Sequence, residues 1–297
     1  MQDTSNAKII DSHTHVWNPS RGRYPWLTPE LSPLDRAMTL AELLPDLARH
    51  GVAGVVLVQS ADADFDTDLM LETAQAHRQV VGVVGWVPLD QPARAAARLA
   101  RLTANPLFVG VRNLIHEQPD PQWILSAEAD AGLGLLEQAG VPFDFVAARP
   151  EAMAVAVEVA RRHPDLHLVL DHLGAPPLAQ GGALRAEQWL RDVEALAARP
   201  RVYAKLSGLY LRREPDRAGL ARLGGFIGAA VELFGPRRLM YGGDWPICLL
   251  HEPYGRTLDI VRRSLPNLDD PGWDDILSAT AARVYGLDAQ RLAAALR

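Results

Sequence analysis

Eight short strand-like stretches, most of them apolar and most followed by a stretch with helical periodicity, constrain this chain more than any other feature. The runs lie at residues 9–15, 52–59, 80–87, 107–115, 141–146, 166–173, 201–206 and 239–243. The second, from Val52 through Val55, Val56, Leu57 and Val58, is almost unbroken in hydrophobicity, as suits a strand covered on both faces. Helical segments are expected at 39–50, 66–77, 91–103, 121–139, 150–162, 184–198, 216–234 and 274–285. Thr39 is an N-cap candidate with Glu42 at capping-box spacing, and Gly51 is a C-cap candidate. Strand, helix and strand in this rhythm imply right-handed crossovers and a parallel sheet. Eight such units predict an α/β fold, a distorted (β/α)8 TIM barrel occupying residues 1–297 as one domain, with a long loop after strand one. The competing fold is an open doubly wound sheet. That fold places a glycine-rich phosphate loop after its first strand; here His13-Thr14-His15 stands there instead.

Composition narrows the partners. The formal charge is −6 and no lysine/arginine run occurs, which argues against nucleic acid or an anionic membrane surface. Cys248 is the single cysteine, so no intrachain disulfide forms. No stretch reaches the roughly 20 apolar residues of a membrane span, and residues 1–8 are polar, unlike a signal peptide. A cytoplasmic protein, monomeric or homodimeric, acting on a small molecule is the expectation.

In a barrel of this kind chemistry sits at the C-terminal ends of the strands. His13 and His15 end strand one, and residues two apart on a strand project to the same side. Gln59 and Ser60 end strand two, and Trp86 strand three. Arg112, Asn113 and His116 follow strand four, and Asp144 lies on strand five. His172 ends strand six, Lys205 strand seven and Asp244 strand eight. Groups of this type are costly to bury unless paired or used. Their recurrence at strand ends marks a site. His50, His77 and His163 fall near helix C-termini, where an imidazolium suits the dipole. His251 follows Asp244 in a loop, and Cys248 belongs to an apolar stretch. The segment 16–38, with Trp17, Tyr24 and Trp26, is either a binding loop or a small core of its own.

The motifs Asp11-Ser12-His13-Thr14-His15-Val16-Trp17, Tyr24-Pro25-Trp26-Leu27, Gly110-Val111-Arg112, Leu170-Asp171-His172-Leu173-Gly174, Lys205-Leu206-Ser207-Gly208 and Tyr241-Gly242-Gly243-Asp244-Trp245-Pro246 occur in this order. Together they resemble the amidohydrolase superfamily, in particular its branch of lactone hydrolases acting on L-fuconolactone, L-rhamnonolactone and 2-pyrone-4,6-dicarboxylate lactone. The superfamily pattern is His-x-His on strand one, lysine or glutamate on strand four, histidines on strands five and six, and aspartate on strand eight. This chain matches at His13, His15, His172 and Asp244. It departs at strand four, where Arg112 stands, and at strand five, which has no histidine. The resemblance therefore implies one divalent metal, zinc, held by His13, His15 and Asp244, with metal-free catalysis as the alternative known within the branch. It implies hydrolysis of a sugar-acid lactone, with amide or imide hydrolysis and non-oxidative decarboxylation as the superfamily's other chemistries. In the lactonase reading Asp244 is the general base, and His172 donates to the oxyanion. Arg112, Asn113, His116, Trp86, Trp17, Trp26 and Lys205 contact the substrate.

Overall fold

A computed structural model describes residues 9–120, 122–178, 182–210 and 217–295. Its centre is one sheet of eight parallel strands in sequential order: β1 (Ile9–Thr14), β2 (Val52–Val58), β3 (Val80–Gly85), β4 (Phe108–Arg112), β5 (Phe143–Val146), β6 (Leu168–Asp171), β7 (Val202–Leu206) and β8 (Leu239–Tyr241). Parallel neighbours need crossovers. These are supplied by α1 (Leu40–His50), α2 (Asp64–Ala76), α3 (Pro92–Leu102), α4 (Ala127–Ala139), α5 (Pro150–Arg162), α6 (Ala183–Ala197) and α7 (Arg217–Phe234). The (β/α)8 barrel expected from the spacing is the observed architecture.

Closure between β8 and β1 is made just beyond the end of β8. The Asp244 amide donates to His13 O (2.8 Å) and the His15 amide to Trp245 O (2.7 Å). Asp11, fully buried, fastens the same seam from outside: its carboxylate accepts from the Gly243 amide (2.8 Å) and the Tyr254 hydroxyl (2.8 Å). A register shift between Asp11 and Thr14 breaks the alternation of β1. The result is that Asp11 faces outward while His13, of the same parity, meets side chains from across the barrel.

Helix ends follow the local chemistry. The Glu42 carboxylate accepts from the Thr39 amide (3.1 Å), and Gly51 ends α1 in the left-handed region at φ 68°. α4 starts later than the expected 121, which lies outside the described residues. Ser126 Oγ caps it, accepting from the Ala129 amide, and a 3-10 turn, Trp123–Leu125, precedes it. The expected start of α7 at 216 and the polar residues 1–8 also lie outside the described residues.

Two features depart from the expected pattern. A helix missing from the sequence reading, α8 (Arg256–Ser264), buries Thr257, Leu258, Ile260 and Val261. The expected closing helix at 274–285 is longer and interrupted. It runs from Asp270 through a π-turn, Asp275–Ala279, to Val284. Its end is not part of the outer ring. Ala281, Val284, Tyr285 and Leu287 pack with Ile10, Val56, Val81, Val109, Val169 and Met240, so the segment 281–287 plugs the barrel floor. The larger core, between strands and outer helices, also takes in Trp17, Tyr24 and Leu34 of the long loop. That loop is an ordered satellite core: Trp17 is 1% exposed, and its Nε1–H reaches Leu34 O and Arg36 O. Among the described residues no helix is long and apolar enough to cross a membrane.

Candidate active site

The strand ends converge on a cavity of about 340 Å³. His15, Arg112, His172 and Asp244 contribute its polar groups, with Ser60, His116 and Glu117 at the side. Trp17, Trp26, Leu31, Leu114, Val146, Ala148 and Ile247 make its apolar wall. Trp26 is fixed by its Nε1–H bond to Ser60 O (2.6 Å) and by edge-on contact with Trp17.

Backbone positions set the chemistry of the imidazoles. His15 Nδ1 lies 2.7 Å from Val58 O. A carbonyl only accepts, so Nδ1 carries the hydrogen and Nε2 presents a lone pair. That Nε2 stands 3.3 Å from Asp244 Oδ1, and His13 Nε2 stands 3.7 Å from the same oxygen. Burial drives both imidazoles toward the neutral form, His13 most strongly. Burial also raises Asp244, but the histidines beside it, His172 foremost, outweigh it and hold this carboxyl below the usual range. Neutral nitrogen donors thus face an ionised carboxylate. A lone pair opposed to a carboxylate oxygen at this distance is repulsive unless a cation lies between them.

His172 stands beside His13 and Asp244. Its Nδ1 is 3.0 Å from Ser207 Oγ and 3.9 Å from Asp244 Oδ2, and its ring contacts that of His13 at 4.6 Å. It is turned there by a left-handed stretch, with φ of 54°, 53°, 67° and 51° at His172, Leu173, Gly174 and Ala175. Non-glycine residues pay about 1–2 kcal/mol each for that conformation. A Trp189 Nε1–H bond to Leu173 O (2.9 Å) helps hold it. Asp244 is itself left-handed, at φ 53°. The ligand atoms of His13, His172 and Asp244 all lie within 4.8 Å of one another. Imidazole nitrogens with one carboxylate are a donor set suited to zinc, so these residues fit a single divalent ion. The sequence reading put His15 in the trio. The structure groups His172 with His13 and Asp244 and keeps His15 in contact with Asp244.

Arg112 is clamped rather than free. Its Nη2 donates to Gln59 O, and its Nη1 lies 3.2 Å from Asp171 Oδ2. Gln59 Nε2 returns a bond to Arg112 O (2.9 Å). Arg112 Nε has no hydrogen-bond partner among the described residues. His116 lines the cavity with Nδ1 unpartnered among the described residues, its pKa pushed down to about 4 by burial and then by Arg112.

Three residues expected to touch substrate lie off the cavity. Lys205 is fully enclosed between Asp144 and Asp171 beneath the site, because β7 ends inside the barrel. Asn113 is 1% exposed and spends its amide on Val87 O. Trp86 is covered by the Arg94 guanidinium and is 8% exposed. His251 does not line the cavity; it stacks on Tyr210 at 4.6 Å. Tyr210 was not legible in the sequence. Its hydroxyl donates to Asp244 Oδ2 (2.7 Å), and only the fold brings the loop after β7 to the end of β8. Cys248 is buried, with its thiol pushed above the ordinary range by burial, so it is packing rather than a nucleophile.

Comparison with known proteins places this geometry. The chain is 35% identical over 247 residues, 83% of each protein, to an L-fucono-1,5-lactonase from Burkholderia ambifaria. It is 31% identical to an L-fucono-1,5-lactonase from Burkholderia multivorans, covering 95% of this chain and 97% of that one. A crystal structure of an amidohydrolase from Burkholderia multivorans with bound zinc superposes with a TM-score of 0.87 at 30% identity, over 95% of this chain and all of the other. The amidohydrolase family model matches residues 10–287, from the first strand to the barrel floor, and the chain belongs to that family.

Proposed function

We propose that this protein hydrolyses a sugar-acid lactone of the L-fuconolactone type, in the cytoplasm, at a site bearing one zinc ion. The observation that carries the reading is the pairing of an ionised Asp244 with neutral imidazoles at the mouth of an aromatic-walled cavity. The two L-fucono-1,5-lactonases similar to it along most of its length support the substrate class.

Opening a lactone needs an activated water, a stabilised oxyanion and a proton for the leaving oxygen. Asp244 takes the proton from water as the oxygen attacks the carbonyl carbon. His172, beside Asp244, stabilises the developing oxyanion. As the ring C–O bond breaks, the proton held by Asp244 passes to the departing oxygen, giving the open hydroxy acid. Arg112, which lines the cavity, is the group that orients a substrate oxygen. Trp26, packed edge-on against the buried Trp17, offers an apolar surface to the C–H face of a sugar ring. His13, His15 and Asp244, with His172 in reach, would hold the zinc, which lowers the pKa of a bound water and polarises a carbonyl.

The test is acid release from a panel of aldonolactones, L-fucono-1,5-lactone first, in weak buffer with a pH indicator. Turnover of that lactone is expected. Turnover of an amide, or loss of CO2 from an aromatic acid, with no lactone opened, overturns the reading. Elemental analysis should find close to one equivalent of zinc, and a chelator should remove it together with the activity. Full activity in zinc-free protein excludes the metal.

A further inference from the structure

Trp26 makes part of the cavity wall, yet it belongs to the loop between β1 and α1 and lies outside any strand or helix. A wall carried on a loop needs something to hold it. Helix α2 grips this loop at several points. Arg21 forms a two-pronged ion pair with Glu72 (2.9 and 2.8 Å), but both side chains are exposed and such pairs contribute little. Gly22 lies so close over Phe65 that a Cβ there would run into the ring. Phe65 also meets Tyr24 edge-on at 5.4 Å. Next to Phe65 on α2 stands Asp66, fully buried and unused by the mechanism.

Every group bonded to Asp66 donates to it. Oδ2 accepts from the Ser60 amide (2.8 Å) and the Ala61 amide (3.3 Å). Oδ1 accepts from the Tyr24 hydroxyl (2.9 Å) and from Ser60 Oγ (3.1 Å). The Tyr24 hydroxyl in turn accepts from the Asn18 amide (3.3 Å), which leaves its own hydrogen for Asp66. A buried carboxylate is costly unless its oxygens are hydrogen-bonded, and these donors come from two segments far apart in the chain. Both segments hold Trp26. Tyr24 stands two residues before it, and Ser60 O accepts its Nε1–H (2.6 Å). Ser60 and Trp26 line the cavity, whereas Asp66 does not. An asparagine at position 66 would set an amide NH2 against one of these pairs of donors, since a backbone N–H cannot accept.

We propose that Asp66 is a positioning residue for substrate recognition: by binding Tyr24 and Ser60 to one carboxylate, it holds the Trp26 ring in the cavity wall. It touches neither the substrate nor the reacting atoms, and its effect passes through Trp26. The kinetic part of the test rests on the sugar-lactone reading above; the indole part does not.

The experiment is a double-mutant cycle between positions 66 and 26, read in kinetics and in indole hydrogen exchange. In Asp66→Asn, KM for L-fucono-1,5-lactone rises about tenfold while kcat stays within about threefold of the wild type. Trp26→Ala raises KM by itself, and adding Asp66→Asn to it raises KM no further. The Trp26 Nε1–H signal is assigned in 1H–15N spectra by its loss in Trp26→Phe. Its exchange with solvent is slow in the wild type and quickens about tenfold or more in Asp66→Asn. Tyr24→Phe, which removes one donor, moves KM and exchange in the same direction by less. Urea unfolding of each variant separates these effects from loss of fold. A folded Asp66→Asn with unchanged KM and unchanged Trp26 exchange overturns the inference. So does an equal rise in KM from Asp66→Asn whether or not Trp26 is present. Should Asp66→Asn fail to fold, Tyr24→Phe decides by the same two readouts. A wild-type protein that opens no lactone counts against the proposed function, and Trp26 exchange alone then decides this inference.

Discussion

Asp244 carries more constraints than any other residue. Its amide closes the barrel, one carboxylate oxygen faces two imidazoles, and the other accepts from Tyr210. Asp244→Asn keeps the shape and the backbone bond but removes the proton acceptor. Lactone turnover should fall by about a thousandfold or more, while the urea midpoint moves little. Near-normal turnover would place the base elsewhere. His116 gives a pH signature. Its pKa is about 4 in the folded protein against an ordinary 6.5, so below pH 6.5 the unfolded chain takes up a proton that the folded chain refuses. Stability from this residue is complete above pH 6.5 and is lost as pH falls toward 4. The side chain is 28% exposed, which reduces the effect to about 2 kcal/mol over that window. His116→Gln should flatten the pH dependence of urea stability by that amount; an unchanged slope would show that His116 does not carry it.

At the level of elements, the site depends on how strands end. Gly208 follows β7 at φ 60°, and a Cβ there would stand 2.4 Å from His172 Nδ1. Gly208→Ala meets both penalties. We expect a loss of about 1–2 kcal/mol from the left-handed backbone and a drop in turnover of about tenfold or more as His172 is displaced. An alanine variant with unaltered kinetics would mean that His172 tolerates the shift. The order of strands and the crossover helices were legible because apolar runs and amphipathic stretches report burial directly. So were His13, His15, His172 and Asp244, since polar groups at strand ends stand out against those runs. Lys205, Asn113 and Trp86 were misplaced for a physical reason: position at a strand end does not say whether a side chain points up into the cavity or down into the barrel. Tyr210 and Tyr285 left no signal, because each acts through a contact between elements distant in the chain. The helix at Arg256–Ser264 was missed, although its buried Thr257, Leu258, Ile260 and Val261 follow helical spacing.

For the whole molecule, the unexpected part is the floor. Val284, Tyr285 and Leu287 are nearly fully buried against strand residues from most of the barrel. Full burial of such side chains contributes about 1.5–3 kcal/mol each, and a domain's total stability is about 5–15 kcal/mol. A chain ending before Ala281 should therefore lose cooperative unfolding in urea, whereas removal of an outer surface helix turn would leave a transition. A sharp transition in the shortened chain would show that the strands close without their plug.

Among the bonds that shut the barrel between β8 and β1, the two between backbones just beyond β8 are made by His13, His15 and Asp244 themselves, with Trp245 O as one acceptor. In most enzymes the functional segments are the first to open locally. Here the ring cannot part at its seam without dismantling the site, and the site cannot loosen without parting the ring. The amide protons of His15 and Asp244 should thus rank among the slowest in the molecule to exchange with deuterium, leaving only when the entire chain unfolds. Rapid exchange at those two amides, with the other strands protected, would reveal a seam that opens by itself.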